Sequence, residues 1–246
     1  MSVPKPRILA VIPARLASTR LPRKVLRPIA GTPMLGWVYR AALACGQLDQ
    51  VVIATDSDEV ASYAESQGWP AVMTSATLAS GTDRVQAVAN RIDADIYVNI
   101  QGDEPLVRPE HLDALLRPFA NKAAEVTTVS TPCAPEQIHN PNAVKVVTAI
   151  DGRALYFSRS AIPYHRDGGR GCSKHLGMYA YRKAALQRFA TLSPSPLESA
   201  ERLEQLRLLE NGISIYVEQT PFDTIGVDTE EDLQAAERIL KPHLQQ

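Results

Sequence analysis

The chain has 246 residues, and its 26 Lys or Arg against 27 Asp or Glu leave a formal net charge of −1, which disfavours a general polyanion binder. An ordinary globular composition, 45% hydrophobic with 13 Gly and 18 Pro, excludes a low-complexity or collagen-like chain. No apolar run approaches the ~18 residues a membrane span requires, and the amino terminus lacks the apolar stretch of a secretory signal, so a cytosolic protein is expected.

The first apolar run, Ile8 to Ile12, predicts a strand over 7–13. The Pro-punctuated segment after it holds five basic residues, Arg15, Arg20, Arg23, Lys24 and Arg27, and no acid. The first acidic residue anywhere is Asp49, and the 48 residues before it contain eight Lys or Arg; the rest of the chain carries 18 basic and 27 acidic side chains, net −9. Positive charge gathered into one strand-to-helix loop focuses a field on an anionic ligand, and a polyphosphate is the expected one. A solvated basic face is the alternative. Neither GxGxxG nor a GxxxxGKS/T loop is present, so a Rossmann dinucleotide site and a P-loop are both excluded by motif. Side chains, Arg15 and Lys24 above all, could supply the positive charge that a glycine-rich loop otherwise supplies through backbone amides.

A helix is predicted over 34–45 with Gly46 as its cap, then a strand over 51–55 and a helix over 57–67, opened by Ser57 and closed by Gly68. A strand at 70–73 leads to SGTDR (Ser80 to Arg84), which enters a helix over 83–92 whose amides suit a base or ribose. The strand 95–100 runs straight into Asn99, Gln101, Gly102, Asp103 and Glu104. A carboxylate at a strand's carboxyl end, opposite a cationic loop, is suited to hold Mg²⁺ against phosphates. The alternative is an N-cap ahead of Pro105 and Pro109. A helix over 109–118 and a strand over 125–131 complete the half. Val- and Ile-rich runs alternating with amphipathic stretches predict an α/β fold with a mostly parallel sheet.

The second half reads as an antiparallel excursion, with strands over 142–149, 153–157 and 175–182 separated by turns and only short helices. The segment Pro163 to Lys174, with Gly168, Gly169 and Gly171, reads as a mobile loop. His175 sits on an apolar strand, where a hydrogen-bonded core residue is the bland alternative to a functional one. Pro194, Ser195 and Pro196 open a predicted helix to about Asn211, with Leu203, Leu206 and Leu209 as a core stripe and Glu201, Glu204 and Gln205 on the solvated side. A strand over 213–218 and a helix over 229–240 follow, and Asp228 with Thr229 reads in isolation as that helix's N-cap. Three cysteines (Cys45, Cys133, Cys172), without CxxC spacing, argue against a disulfide framework or a zinc site.

In order, PARLASTRLPRK, TDSDEV, SGTDR, NIQGDEP, NPNAVKVV, LYFSR, IPY, KHLGMYAYR, the SPLE to LEQLR stretch and GVDT resemble the 3-deoxy-manno-octulosonate cytidylyltransferases, the CMP-KDO synthetases, over almost the whole chain. The resemblance implies a three-layer, Rossmann-like nucleotidyltransferase fold with a mostly parallel central sheet and an antiparallel excursion, in one domain over 1–246. Within it, about 1–124 would be a nucleotide-binding half, about 125–190 the excursion with the sugar-acid site and a homodimer contact, and about 191–246 the return to the core. It implies attack by the anomeric hydroxyl of 3-deoxy-D-manno-octulosonate (KDO) on the α-phosphorus of CTP, giving CMP-KDO and pyrophosphate for lipopolysaccharide assembly. Asp103 and Asp228 would hold Mg²⁺, and Arg15 and Lys24 would neutralise the triphosphate. Ala14, Ser80, Gly81 and Arg84 would lie around cytidine. Gln101, Arg159, His175, Tyr179, Glu204 and Gln205 would line the sugar-acid site, the basic ones meeting its carboxylate. No nucleic-acid or membrane partner is implied. The approach to His175 is GCSKH, without the aromatics many members carry, which leaves a close analogue such as 8-amino-8-deoxy-KDO as an alternative acceptor; a sialate or other sugar-acid cytidylyltransferase is the second enzymatic reading. A CTP-binding homologue without turnover is the remaining alternative.

Overall fold

A strand covered on both faces has no solvent side to alternate with, and ILAVIP is buried at all six positions of β1 (Ile8–Pro13). The computed structural model containing it describes residues 5–167 and 171–244. It divides into two units, one made of the chain up to Leu112 together with the residues from Thr224, the other of Asp113–Asp223.

In the first unit β1 is followed by the cationic loop, which ends in a 3-10 turn at Lys24–Leu26 and a small hairpin of β2 (Pro28–Ile29) and β3 (Thr32–Pro33). Then come α1 (Met34–Leu43), β4 (Gln50–Thr55), α2 (Asp58–Ser66), β5 (Ala71–Met73), α3 (Gly81–Ala89), β6 (Ile96–Asn99) and α4 (Pro109–Leu116), in which the boundary between units falls. The strands pair in parallel in the order β6-β1-β4-β5, with Ile8 opposite Ile96 and Leu9 opposite Gln50. All four carboxyl ends therefore open at one edge, where α/β sheets carry their ligand sites.

Helix punctuation follows the predicted residues with two shifts. Ser57 caps α2, and Gly68 follows that helix in the left-handed region at φ 71°. Gly46 caps nothing: α1 ends at Leu43 with Ala44 in right-handed geometry, and the chain leaves through a turn closed by the Leu48 N–H on the Cys45 carbonyl at 3.3 Å. The third helix starts at Gly81 rather than 83, because Ser80 and Asp83 form a reciprocal capping box that satisfies two orphan N–H groups.

The second unit contains β7 (Val126–Pro132), β8 (Lys145–Thr148), β9 (Ala154–Ser158), β10 (Ser173–Arg182), α5 (Lys183–Thr191), α6 (Pro196–Glu201), α7 (Gln205–Glu210) and β11 (Ile215–Gln219). β10 runs antiparallel to β7 and β8, β8 antiparallel to β9, and β11 parallel to β7, so the antiparallel excursion is present. Of the predicted loop 163–174, Gly168 and Gly169 lie outside the described residues.

Two helical features differ from the sequence reading. α5 was hidden because the apolar run of β10 leads straight into it; its buried Ala185, Leu186 and Phe189 show helical spacing only once the strand end is known. The helix predicted to run to Asn211 breaks at Arg202, which adopts φ 55°. The break has partners: Arg159 donates from Nε to the Glu201 carbonyl (2.7 Å) and from Nη2 to the Arg202 carbonyl (3.3 Å). Across it, Arg207 reaches back to both carboxylate oxygens of Glu198, at 2.5 and 2.8 Å.

The chain re-enters the first unit and ends in α8 (Glu230–Leu240), capped by Thr229 with Asp232. Leu233, Ala236 and Leu240 pack in one apolar cluster with Leu21, Ile29, Met34, Leu106 and Val227. Leu21 and Ile29 bracket Arg23, Lys24 and Arg27, and each such buried side chain stabilises by about 2 kcal/mol, so a segment rich in charge is nonetheless anchored. Among the described residues no helix is long and apolar enough to cross a membrane.

Candidate active site

The site grows from two neighbouring strand ends. Beyond β6, the Ile100 N–H donates to the Val11 carbonyl (3.1 Å) and the Gly102 N–H to the Pro13 carbonyl (3.2 Å), so the QGDEP loop continues along the end of β1. A Cβ on residue 102 would stand 2.7 Å from that Pro13 oxygen, a contact real Cβ atoms do not make, which is why glycine precedes Asp103. The Val227 N–H then donates to the Asp103 carbonyl at 2.9 Å, which brings Asp228 beside Asp103 although 124 positions of sequence separate them.

Lys24 points at both. Arg23, just before it, lies in the left-handed region at φ 57°, a conformation costing a non-glycine residue ~1–2 kcal/mol. It is held by the Leu26 N–H on its carbonyl (2.9 Å) and by an ion pair with Glu59. The turn directs Lys24 Nζ to Asp103 Oδ2 at 2.5 Å and Asp228 Oδ1 at 2.9 Å. Burial pulls the Lys24 pKa down, but the charges and hydrogen bonds of Asp103 and Asp228 outweigh it and leave the pKa raised, so the side chain is an ammonium at neutral pH. Arg20 Nη2 holds the other oxygen of Asp228 at 2.9 Å.

These groups line an open cleft of about 580 Å³ with Arg15, Ser18, Thr19, Gly81 and Gln101. The carboxylates fit a hard divalent ion: two oxygens of different residues already converge on one cationic point, and Mg²⁺ commonly takes one or two protein carboxylates with phosphate and water completing its octahedron. No cluster of three metal-ligating side chains occurs among the described residues.

Of the residues expected around cytidine, only Gly81 lines this cleft. Ala14 is fully buried, with its N–H on the Ala54 carbonyl at 2.9 Å, and Ser80 caps α3. Arg84 is fully buried, donating to Asp56 Oδ2 (2.7 Å) and Thr74 Oγ1 (2.5 Å), while its Nε has no partner. Thr74 in turn donates to the Thr55 carbonyl at 3.1 Å, so Arg84 braces α3 to the ends of β4 and β5. Asp103 caps no helix, and the N-cap beside Asp228 is Thr229. Arg20 and Asp56 lie within the PARLASTRLPRK and TDSDEV motifs, but the motifs assign neither a role of its own.

The expected sugar-acid residues other than Gln101 belong to the second unit. His175 is buried, its ring 5.0 Å from Phe157 and 5.4 Å from Tyr179. Thr128 Oγ1 lies 2.8 Å from the Met178 carbonyl and 3.3 Å from the Leu176 carbonyl at the bulge between Leu176 and Tyr179; both oxygens can only accept, so with the hydroxyl proton on one of them His175 Nε2 at 3.0 Å is the donor to Thr128. Burial pushes the His175 pKa down to about 3, which makes it a neutral hydrogen-bonding ring.

Between its ordinary value and about 3, the unfolded chain takes up a proton at this site that the folded chain refuses, so stability falls as pH drops through that window. From pH 7 to pH 5 this one group should remove about 2 kcal/mol. Urea unfolding of His175→Gln should show that much less loss on acidification, and an unchanged pH dependence would contradict a buried neutral imidazole.

Arg159 bonds through each of its three guanidinium nitrogens, adding an Nη1 bond to the Pro141 carbonyl (2.9 Å) to those at the helix break. Its backbone N–H, with Ser158 and Tyr156, binds the Glu201 carboxylate at 3.0, 2.6 and 3.4 Å. Burial would raise the Glu201 pKa, but these donors and the Arg159 charge lower it. Glu204 and Gln205 open α7 just beyond the break. Sequence pattern places Glu201 on the solvated face and assigns no role to Lys145 within NPNAVKVV; the Lys145 Nζ is sequestered by the carbonyls of Asn140, Ala143 and Arg159 at 2.9, 2.6 and 2.7 Å.

Comparison with known proteins adds an independent line. Residues 9–215 match the Cytidylyltransferase family. The 3-deoxy-manno-octulosonate cytidylyltransferase of Acidobacterium capsulatum is 67% identical over 95% of this chain and 96% of its own length. That of Koribacter versatilis is 57% identical over 95% of this chain and 90% of its own. A solved CMP:2-keto-3-deoxy-manno-octonic acid synthetase in complex with CTP superposes with a TM-score of 0.93 at 40% identity, covering 96% of this chain and 99% of the other.

Proposed function

The chain belongs to the 3-deoxy-manno-octulosonate cytidylyltransferase family, and on that premise we propose that it transfers CMP from CTP to the anomeric hydroxyl of KDO, releasing pyrophosphate. The observation that carries this reading is the convergence of Arg15, Arg20 and Lys24 with Asp103 and Asp228 on one cleft at the carboxyl ends of parallel strands.

Nucleotidyl transfer needs in-line placement and charge neutralisation more than a covalent role for the protein. The sugar hydroxyl oxygen forms a bond to the α-phosphorus, the α–β phosphoanhydride bond breaks, pyrophosphate departs and the hydroxyl proton goes to solvent. Arg15 and Lys24 meet the β- and γ-phosphates, where Lys24 stabilises the charge that grows on the leaving group. The amino-terminal turn of α3 at Gly81 offers backbone N–H groups to the nucleotide. Asp103 and Asp228 would hold Mg²⁺, which when bound polarises the α-phosphate and acidifies the attacking hydroxyl. In the second unit the neutral ring of His175 serves acceptor hydroxyls as a hydrogen-bonding group, with Tyr179 beside it.

The test is pyrophosphate release with CTP and a panel of eight- and nine-carbon acid sugars at saturating Mg²⁺. KDO should give the highest kcat/KM. No release with any acceptor would overturn catalysis, and a higher kcat/KM with sialate or 8-amino-8-deoxy-KDO would move the assignment to that acceptor.

A further inference from the structure

Two of the loop cations, Lys24 and Arg20, already have partners within the fold, and those partners are the two carboxylates. Lys24 Nζ stands between Asp103 Oδ2 and Asp228 Oδ1, and Arg20 holds Asp228 Oδ2, so three of the four carboxylate oxygens face a basic side chain of the same loop. A divalent ion arriving alone must take its ligands from an ammonium and then remain a few ångströms from it, a like-charge contact that few waters screen because the Lys24 side chain is only 12% exposed. A polyphosphate arriving with the ion gives Lys24 and Arg20 another partner and frees the oxygens at the same moment.

We infer that Lys24, assisted by Arg20, is the resident counter-ion of Asp103 and Asp228, so that a divalent cation gains these carboxylates only as a polyphosphate draws the two basic side chains away. Metal and nucleotide are then coupled ligands, each raising the affinity for the other. The inference rests on the reading of Asp103 and Asp228 as metal ligands. Arg15 provides the contrast: it lines the same cleft with the same charge, but its Nη2 is bound to the Ala79 carbonyl at 3.3 Å and it touches neither carboxylate.

The experiment titrates the full chain with Mn²⁺ in the absence of nucleotide and reads free Mn²⁺ by electron paramagnetic resonance, with circular dichroism reporting the fold of each variant. Lys24→Gln should bind Mn²⁺ at least about ten-fold more tightly than the unmodified chain, and Lys24→Arg should not. Arg15→Gln, which removes an equal charge, should gain at most about two-fold, and the more exposed Arg20→Gln about three-fold. Equal gains for Lys24→Gln and Arg15→Gln, or an unmodified chain that binds as tightly as Lys24→Gln, would overturn the counter-ion role while leaving the metal reading intact. Adding Asp103→Asn to Lys24→Gln should abolish the gain, and its persistence would overturn the carboxylate reading and the inference with it. Should Lys24→Gln fail to fold, the ratio of Arg20→Gln to Arg15→Gln decides by the same rule, a ratio of one counting against the role.

Discussion

Asp103→Ala lowers kcat by on the order of 10³-fold while the dissociation constant for CTP, measured without divalent ion, changes no more than about three-fold. The asymmetry follows from the charges around the cleft. Asp103 is an anion facing the site of a more highly charged anion, so its removal makes the surroundings more positive and cannot weaken the electrostatic attraction for a triphosphate. Lys24 keeps Asp228 as a partner at 2.9 Å and Arg20 keeps the other oxygen of Asp228, so the loop retains two of its three ion pairs with the carboxylates. What disappears is half of the proposed metal cradle, which acts on the reacting phosphorus more in the transition state than in the ground state. Single-turnover pyrophosphate release beside equilibrium CTP binding separates the two quantities. Equal losses in both would mean that the carboxylate serves ground-state affinity.

The second large effect is structural. Arg84→Met should destabilise the protein by about 3–5 kcal/mol, because it leaves the Asp56 carboxylate, whose side chain is 14% exposed, without its guanidinium partner. It also removes the donor to Thr74 Oγ1. Removing both charges is a milder change than removing one, so Arg84→Met with Asp56→Leu should recover at least half of the loss. Chemical denaturation of the two variants measures this. A single variant within about 1 kcal/mol of the unmodified chain would show that the pair contributes little.

The contrast between these two residues marks what a linear sequence conveys here. Asp103 was legible because its signals are contiguous: a β-run, a glycine and a carboxylate at the strand end, with an acid-free basic loop earlier in the chain. Arg84 was legible as part of a motif facing the nucleotide loop, but its partners Asp56 and Thr74 lie 28 and 10 residues away, and nothing local distinguishes a brace from a ligand-facing side chain. Asp228 taken alone reads as a helix cap; only the Val227 hydrogen bond to Asp103 and the contacts of Arg20 and Lys24 bring it to the cleft.

The fold shows the same division. Parallel strands and intervening helices of the first unit follow from alternating apolar runs and caps, and their existence was predicted in chain order. α5 was missed because a ten-residue strand passes into it without a breaker. The break at Arg202 has no Gly or Pro to announce it, since it is imposed by Arg159, more than 40 residues earlier, pulling on the carbonyls of Glu201 and Arg202. Tertiary hydrogen bonding overrides helix propensity there.

A crystal structure with CTP and Mg²⁺, without acceptor, shows whether cations and carboxylates share one triphosphate. The metal should lie on Asp103 and Asp228, with Lys24 Nζ and the Arg15 guanidinium on phosphate oxygens of the same nucleotide. A triphosphate bound elsewhere, with Lys24 still bridging both carboxylates, would contradict that arrangement.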